Sequence, residues 1–178
     1  MPTRVDILEA ALAQTQCREC GFDGCRPYAE ALDKGTAAHT LCRPGGARVV
    51  ADLSRLLGLP EAPPAKPQEP PLVARIREDD CIGCALCLKA CPTDCIIGAP
   101  KQMHTVVAAD CTGCRLCLAP CPVAYIDIVP APWPPAANGA QEKARAEQVG
   151  ALVAARNARL AAAKAERLAA FGNEKSRP

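Results

Sequence analysis

Thirteen cysteines stand among the 178 residues, and eight of them fall in two matching runs. Cys81, Cys84, Cys87 and Cys91 have the spacing C-x2-C-x2-C-x3-C-P, and Cys111, Cys114, Cys117 and Cys121 repeat it 30 residues on. Asp80, Gly83, Leu86, Leu88, Pro92 and Ile96 recur at the same offset as Asp110, Gly113, Leu116, Leu118, Pro122 and Ile126, so the segment is a duplication. Three thiolates on one tight loop and a fourth marked by proline suit an iron-sulfur cube. Zinc modules more often pair separated C-x2-C knuckles. In a two-cluster arrangement the fourth cysteine serves the other cluster. Cluster I is therefore assigned to Cys81, Cys84, Cys87 and Cys121, and cluster II to Cys111, Cys114, Cys117 and Cys91.

Upstream, Cys17, Cys20, Cys25 and Cys42 form a looser C-x2-C-x4-C-x16-C set. A third 4Fe-4S cluster is the favoured occupant, with zinc as the alternative. Cys95 is the odd thiol and occupies the repeat position of Tyr125, which reads as a small buried hydrophobe beside a cluster. His39 and His104 lack partners at ligand spacing and read as surface or hydrogen-bonded residues. Trp133, set between prolines, reads as a cover over the edge of the central unit.

Several elements must position these thiols. Thr3 and Asp6 mark a helix start, followed by Val5, Leu8, Ala11 and Leu12 at helical spacing. A second helix is predicted from Pro27 to a stop at Gly35, and a third over Ala47–Leu57 with Gly58 as its stop. Residues 1–59 thus form a small helical 4Fe-4S domain, and the proline-rich stretch 60–71 an extended linker. Residues 72–135 form the two-cluster domain, with strands predicted over Leu72–Arg77, Cys95–Gly98, His104–Ala108 and Tyr125–Val129. Residues 136–178 are an Ala-rich tail predicted as one long helix from near Asn138 to Gly172. Its stripe of Val149, Leu152, Val153, Leu160, Leu168 and Phe171 is interrupted by Arg156 and Lys164. A solvated helix or one that docks a partner would both fit. The fold class is α+β, with a duplicated ferredoxin-like βαβ unit.

Composition narrows the chemistry further. Aromatic residues make up only 3% of the chain, too few for an ordinary core of this length, so bound metal is expected to supply part of the interior. A net charge of +2 gives no support to nucleic-acid binding. The opening residues Met1–Asp6 carry no apolar run of a signal peptide, and no stretch is apolar enough to span a bilayer. A reducing, cytoplasmic setting is the expectation. There is no phosphate loop, no dinucleotide fingerprint and no Ser/His/Asp constellation, so no catalytic residue and no small-molecule substrate is assigned. The remaining chemistry is transfer of single electrons between sites on other proteins.

Two resemblances follow from these residues. Leu72–Val129 resembles a bacterial-type two-cluster ferredoxin. The stretch from Cys17 to Gly46, CRECGFDGCRPYAEAL and then CRPGG, resembles the small 4Fe-4S domain in the B subunits of the Rnf/Rsx electron-transport complex, which also share the order of domain, linker and ferredoxin. The resemblance implies ligation by all twelve cysteines named above. It also implies a relay role, with redox partner proteins and a membrane complex docked peripherally on the cytoplasmic face of the inner membrane. Familiar B subunits begin with a hydrophobic anchor, whereas this chain opens on a charged helix with Arg4, Asp6 and Glu9, so a short form without the anchor is expected. The alternatives are a freestanding ferredoxin serving a cytoplasmic reductase and a redox-sensing regulatory or assembly factor.

Overall fold

The computed structural model describes residues 1–174, with side chains through residue 170; Phe171 of the predicted stripe therefore lies outside the described side chains. Helix α1 (Arg4–Ala11) opens on Thr3. The Thr3 hydroxyl accepts from the Asp6 amide and the Asp6 carboxylate accepts from the Thr3 amide, a reciprocal cap. Helix α2 (Cys25–Asp33) begins two residues earlier than Pro27 suggests, so Cys25 is its first residue. Helix α3 (Gly46–Leu57) ends at Gly58, whose φ of +68° is the left-handed stop the sequence predicts. Leu8, Leu12, Tyr28, Ala29, Leu32, Val49 and Leu53 meet between the three helices in an apolar core that also holds Cys42.

The linker is not free. Ala65 donates its amide to the Thr40 carbonyl, Arg43 donates to the Pro67 carbonyl, and Gln68 donates to the Pro44 carbonyl. Prolines fix the extended course, and these polar contacts hold it to the N-terminal helices.

The central unit pairs β1 (Leu72–Ile76) with β4 (Ile126–Pro130), antiparallel, with Leu72 opposite Pro130 and Ile76 opposite Ile126. Strands β2 (Ile96–Ile97) and β3 (Thr105–Val106) form a second antiparallel pair. The unit's ends thus close over its middle, as a duplicated unit requires. Only the first repeat carries a helix, α4 (Leu86–Ala90). The equivalent residues 116–120 form turns. Pro120 replaces Ala90 and lacks the amide that would bond back to Leu116, so the helix that the duplicated βαβ reading implies for the second repeat is lost.

Helix α5 (Gly139–Glu174) starts where Asn138 caps it, its side chain accepting from the Gln141 amide. Its first half lies against the rest of the chain, with Ala146 and Val149 buried. Among the described residues no helix is long and apolar enough to cross a membrane.

Candidate metal centres

The two central loops are built alike. Gly83 and Gly113 both have left-handed φ, near +69° and +65°. A Cβ at Gly83 would stand 2.8 Å from the Gln102 backbone, and one at Gly113 would stand 2.5 Å from the Leu72 carbonyl oxygen. Ala85 and Arg115, one position beyond the second cysteine of each run, are also left-handed. Such conformations in non-glycine residues are uncommon and persist where surrounding structure imposes them. Here the loops curl so that three thiols face inward.

One small cavity is lined by Cys81, Cys84, Cys87 and Cys121, together with Ile76, His104, Tyr125 and Ile126. A second is lined by Cys91, Cys111, Cys114 and Cys117, with Ala74, Cys95 and Ile96. Each cavity draws three thiols from the loop of one repeat and the last cysteine of the run from the other, and the second holds Cys95 as a fifth thiol. Cys84 is exposed, while Cys87, Cys91, Cys111 and Cys117 are buried.

Cys95 lies in the second cavity, its Sγ 3.4 Å from that of Cys91. Hydrogen bonds to Cys111 and Cys91 push its own pKa up, and burial adds to this, so it stays a thiol. The same bonds favour the thiolates of its neighbours and hold Cys91 and Cys111 below the ordinary thiol range. The Ala74 amide also donates to Cys111 Sγ at 3.3 Å. At the cluster I site the ring Nδ1 of His104 lies 3.3 Å from Cys81 Sγ.

The N-terminal site uses a different loop. Gln14, Gln16 and Arg18, none of them glycine, alternate through left-handed φ between +56° and +64°. Alternation of this kind turns successive amides toward one side, where they can face an anion. The Gln16 amide points to Cys25, the Phe22 amide to Cys20, and the Ala13 and Gly45 amides to Cys42. The Gln16 side chain accepts from the Cys25 amide at 2.9 Å. Tyr28 donates to the Ala38 carbonyl at 2.7 Å and accepts from the Leu41 amide, fixing the return that delivers Cys42. Burial pushes the Cys20, Cys25 and Cys42 thiols up, and mutual repulsion with one another and with Cys17 adds to it. The four thiols are thus close enough to feel each other's charge. Repulsion of that kind is relieved by a cationic metal core.

Cys25 gives a test in pH. Burial first, opposed by the Gln16 amide, raises its pKa from 9.0 to about 12 in the metal-free protein. A raised folded-state value means this contribution to stability is complete below pH 9 and is lost as pH climbs toward 12, because the unfolded chain ionises first. The chelator-stripped, reduced protein should show a lower urea midpoint for its helical signal at pH 10.5 than at pH 8. An unchanged midpoint would contradict the burial of this thiol.

The N-terminal site and the cluster II site face each other. Cys17 and Cys111 line one cleft of about 760 Å³, and Thr112 donates its hydroxyl to the Thr15 carbonyl at 3.3 Å. Arg43 joins Glu19 at 3.2 Å and Glu69 at 2.7 Å, while Arg115 joins the same two carboxylates at 3.4 Å and 2.7 Å. This closed ring of four charges connects the Cys17–Cys20 loop, the residue after Cys42, the linker and the cluster II loop. Its partners are half-buried and each carboxylate is held by two guanidinium groups, which lifts the ring above the small worth of an isolated surface pair.

Among the described residues no group of three or more His, Cys, Asp or Glu side chains closes to the dimensions of one metal ion. Thiolates on a single zinc, at about 2.3 Å from it, would stand about 3.8 Å apart. A family model described as a putative Fe-S cluster matches residues 12–44, and a 4Fe-4S dicluster domain model matches residues 74–128. The B subunit of the ion-translocating oxidoreductase complex of Shewanella oneidensis is 57% identical over 128 residues, which cover 71% of this chain and 66% of that one. The Hahella chejuensis counterpart is 54% identical over 132 residues, covering 72% and 66%. The chain belongs to the family of these B subunits. The Thiobacillus denitrificans counterpart is 55% identical over 104 residues, covering 57% of this chain and 55% of the relative. Against the first of these relatives the chain accounts for just under two thirds of the relative's own length. No solved structure matches the chain. As a family member, it has the Fe-S domains that the two models describe, one in the N-terminal helices and one in the duplicated unit.

Proposed function

We propose that this chain relays single electrons through three 4Fe-4S clusters, as an electron-transfer component of an oxidoreductase complex rather than as an independent catalyst. The observation that carries this is the pair of cavities, each lined by the three loop thiols of one repeat and the last cysteine of the other's run, with Cys95 as an extra thiol in the second. When bound, such clusters store and release one electron at a potential that spans roughly −700 to +450 mV across proteins. The chain's own residues do the rest. Cys81, Cys84, Cys87 and Cys121 would hold cluster I, Cys91, Cys111, Cys114 and Cys117 would hold cluster II, and Cys17, Cys20, Cys25 and Cys42 the third. The donor sets fit: every donor is sulfur, and amides point at several of them.

The shared cleft and the Arg–Glu ring support an order in which the N-terminal cluster adjoins cluster II. Cluster I then lies at the far end of the relay. Its surroundings favour contact with another protein, since Cys84, Ile82, Leu86, Ile97 and Met103 are all exposed there. The partners proposed are redox proteins, including the other subunits of an ion-translocating complex of the kind the relatives' names describe.

Anaerobically isolated protein should contain about twelve iron atoms and as many sulfides, four per set of four cysteines. Its reduced form should show electron paramagnetic resonance signals from interacting 4Fe-4S centres. About eight irons with one zinc would remove the N-terminal cluster from the scheme, and colourless protein would defeat all of it.

A further inference from the structure

The two halves of the central unit are related by the 30-residue offset, and their hydrogen bonds to the first cysteine of each run occupy matching positions. At cluster II the donor is the backbone amide of Ala74, which gives a hydrogen bond to Cys111 Sγ. The position matching Ala74 is His104, and there the donor is a side chain: Nδ1 of the ring, 3.3 Å from Cys81 Sγ. The ring is 1% exposed. Its other nitrogen, Nε2, is buried with no partner.

The site is shaped for this ring. Gly98 has φ +155°, and a Cβ there would collide with the imidazole. The turn between β2 and β3 is fastened to the cluster I loop by the Lys101 amide, which donates to the Gly83 carbonyl at 2.9 Å. The ring is thus placed by the loop it serves. A metal-bound cysteine carries no proton, so the only proton available to the His104–Cys81 pair is the one on Nδ1. That tautomer leaves Nε2 as a bare lone pair. The opposite tautomer would bury an unpaired N–H and set two lone pairs against each other, which is the costlier arrangement.

We propose that His104 is a positioning residue for cluster I: its Nδ1–H donates to the Cys81 thiolate and raises the potential of that cluster alone. This rests on the cluster assignment above. Adding an electron increases the negative charge on the ligand sulfurs, so a donor held against one of them stabilises the reduced state more than the oxidised one. Cluster II has its matching bond from the backbone, which no side-chain substitution removes. At this matching position, then, only the bond at cluster I can be removed by changing one side chain.

The test uses the loaded full-length chain. In a redox titration of His104→Leu, one central cluster should become about tenfold harder to reduce at a given potential, a shift of about −59 mV for one electron, while the other central cluster keeps its midpoint. His104→Gln, which retains an N–H donor, should recover part of the shift. Unchanged midpoints, or equal movement of both clusters, would overturn the proposal. The unaltered protein gives an independent reading: with 15N-labelled histidine, electron spin echo spectra of reduced cluster I should show a nitrogen coupling. Its absence overturns the proposal even where the leucine variant takes up no iron. Wild-type protein without clusters is a separate result, defeating the assignment on which this one stands.

Discussion

Replacing Cys121 by alanine should cost the protein its cluster I centre, although Cys121 belongs by sequence to the second repeat. Its thiol lines the cavity with Cys81, Cys84 and Cys87, and the position where cluster II keeps a spare thiol, Cys95, holds Tyr125 instead. No spare thiol stands nearby, so about four of twelve irons should be lost. The fold should suffer too. Half of the ten buried residues in the central core are cysteines, namely Cys87, Cys91, Cys95, Cys111 and Cys117, and the large aliphatics are only Val73, Ile76, Ile96 and Ile126. An interior of that kind is organised by what the thiols bind, so ligand loss and unfolding are linked. Iron content and a thermal melt of the central unit would show both effects. Full iron with an unshifted melt would refute the crossed assignment.

The companion result separates ligand from neighbour. Cys95→Ala should retain all twelve irons, because its thiol stands beside Cys91 as a hydrogen-bonding neighbour and outside the assigned set of four. Cys91→Ala leaves Cys95 in the same cavity, 3.4 Å from the lost sulfur. The double variant is therefore the counterpart of Cys121→Ala and should lose cluster II. The N-terminal helices should survive all of these changes. Their core of Leu8, Leu12, Tyr28, Leu32, Val49 and Leu53 is conventional and owes little to metal.

The cysteine runs, the 30-residue duplication, the helix stop at Gly58 and the helix start at Asn138 were legible in the sequence because each is a short-range rule of spacing, capping or backbone freedom. Pro120 was legible in principle, since a missing amide ends a helix wherever it falls. The left-handed Gln14, Gln16 and Arg18 were not, because no glycine advertises them and the strain is imposed by the surrounding fold. Nor was the ring of Arg43, Glu19, Glu69 and Arg115, which joins residues nearly 100 positions apart. His104 carried no ligand spacing, and its role depends on a hairpin that brings it to Cys81. Helix α5 shows the same limit. Its apolar stripe is thin, and Arg156, which breaks the stripe, is one of the residues that attach it, donating to the Lys89 carbonyl at 2.7 Å and pairing with Asp94. Hydrophobic periodicity does not register a helix that docks through guanidinium groups.

That mode of docking gives the second large effect. A chain ending at Pro135 should keep its irons but lose the clamp between its two halves. Along α5, Glu142 pairs with Arg48 of α3 at 3.2 Å, and Arg145 donates to the carbonyls of Ala109 and Cys111 while its guanidinium lies over Trp133. Val149 is 1% exposed, and Arg159 reaches Asp94 at 2.6 Å. Burial of Val149 contributes about 1.5–3 kcal/mol, and each exposed ion pair about 0.2–1 kcal/mol. Removing α5 takes all of these away and should leave the Arg–Glu ring as the main link between the halves. Proteolysis should then cut the linker at residues 60–71 at least tenfold faster, on the order of the 1.4 kcal/mol that a tenfold opening requires. The magnetic interaction between the N-terminal cluster and cluster II should weaken in parallel. Because no thiol of the three sites lies on α5, iron content is the control, and an unaltered cleavage rate with full iron would mean that the helix does not hold the halves together.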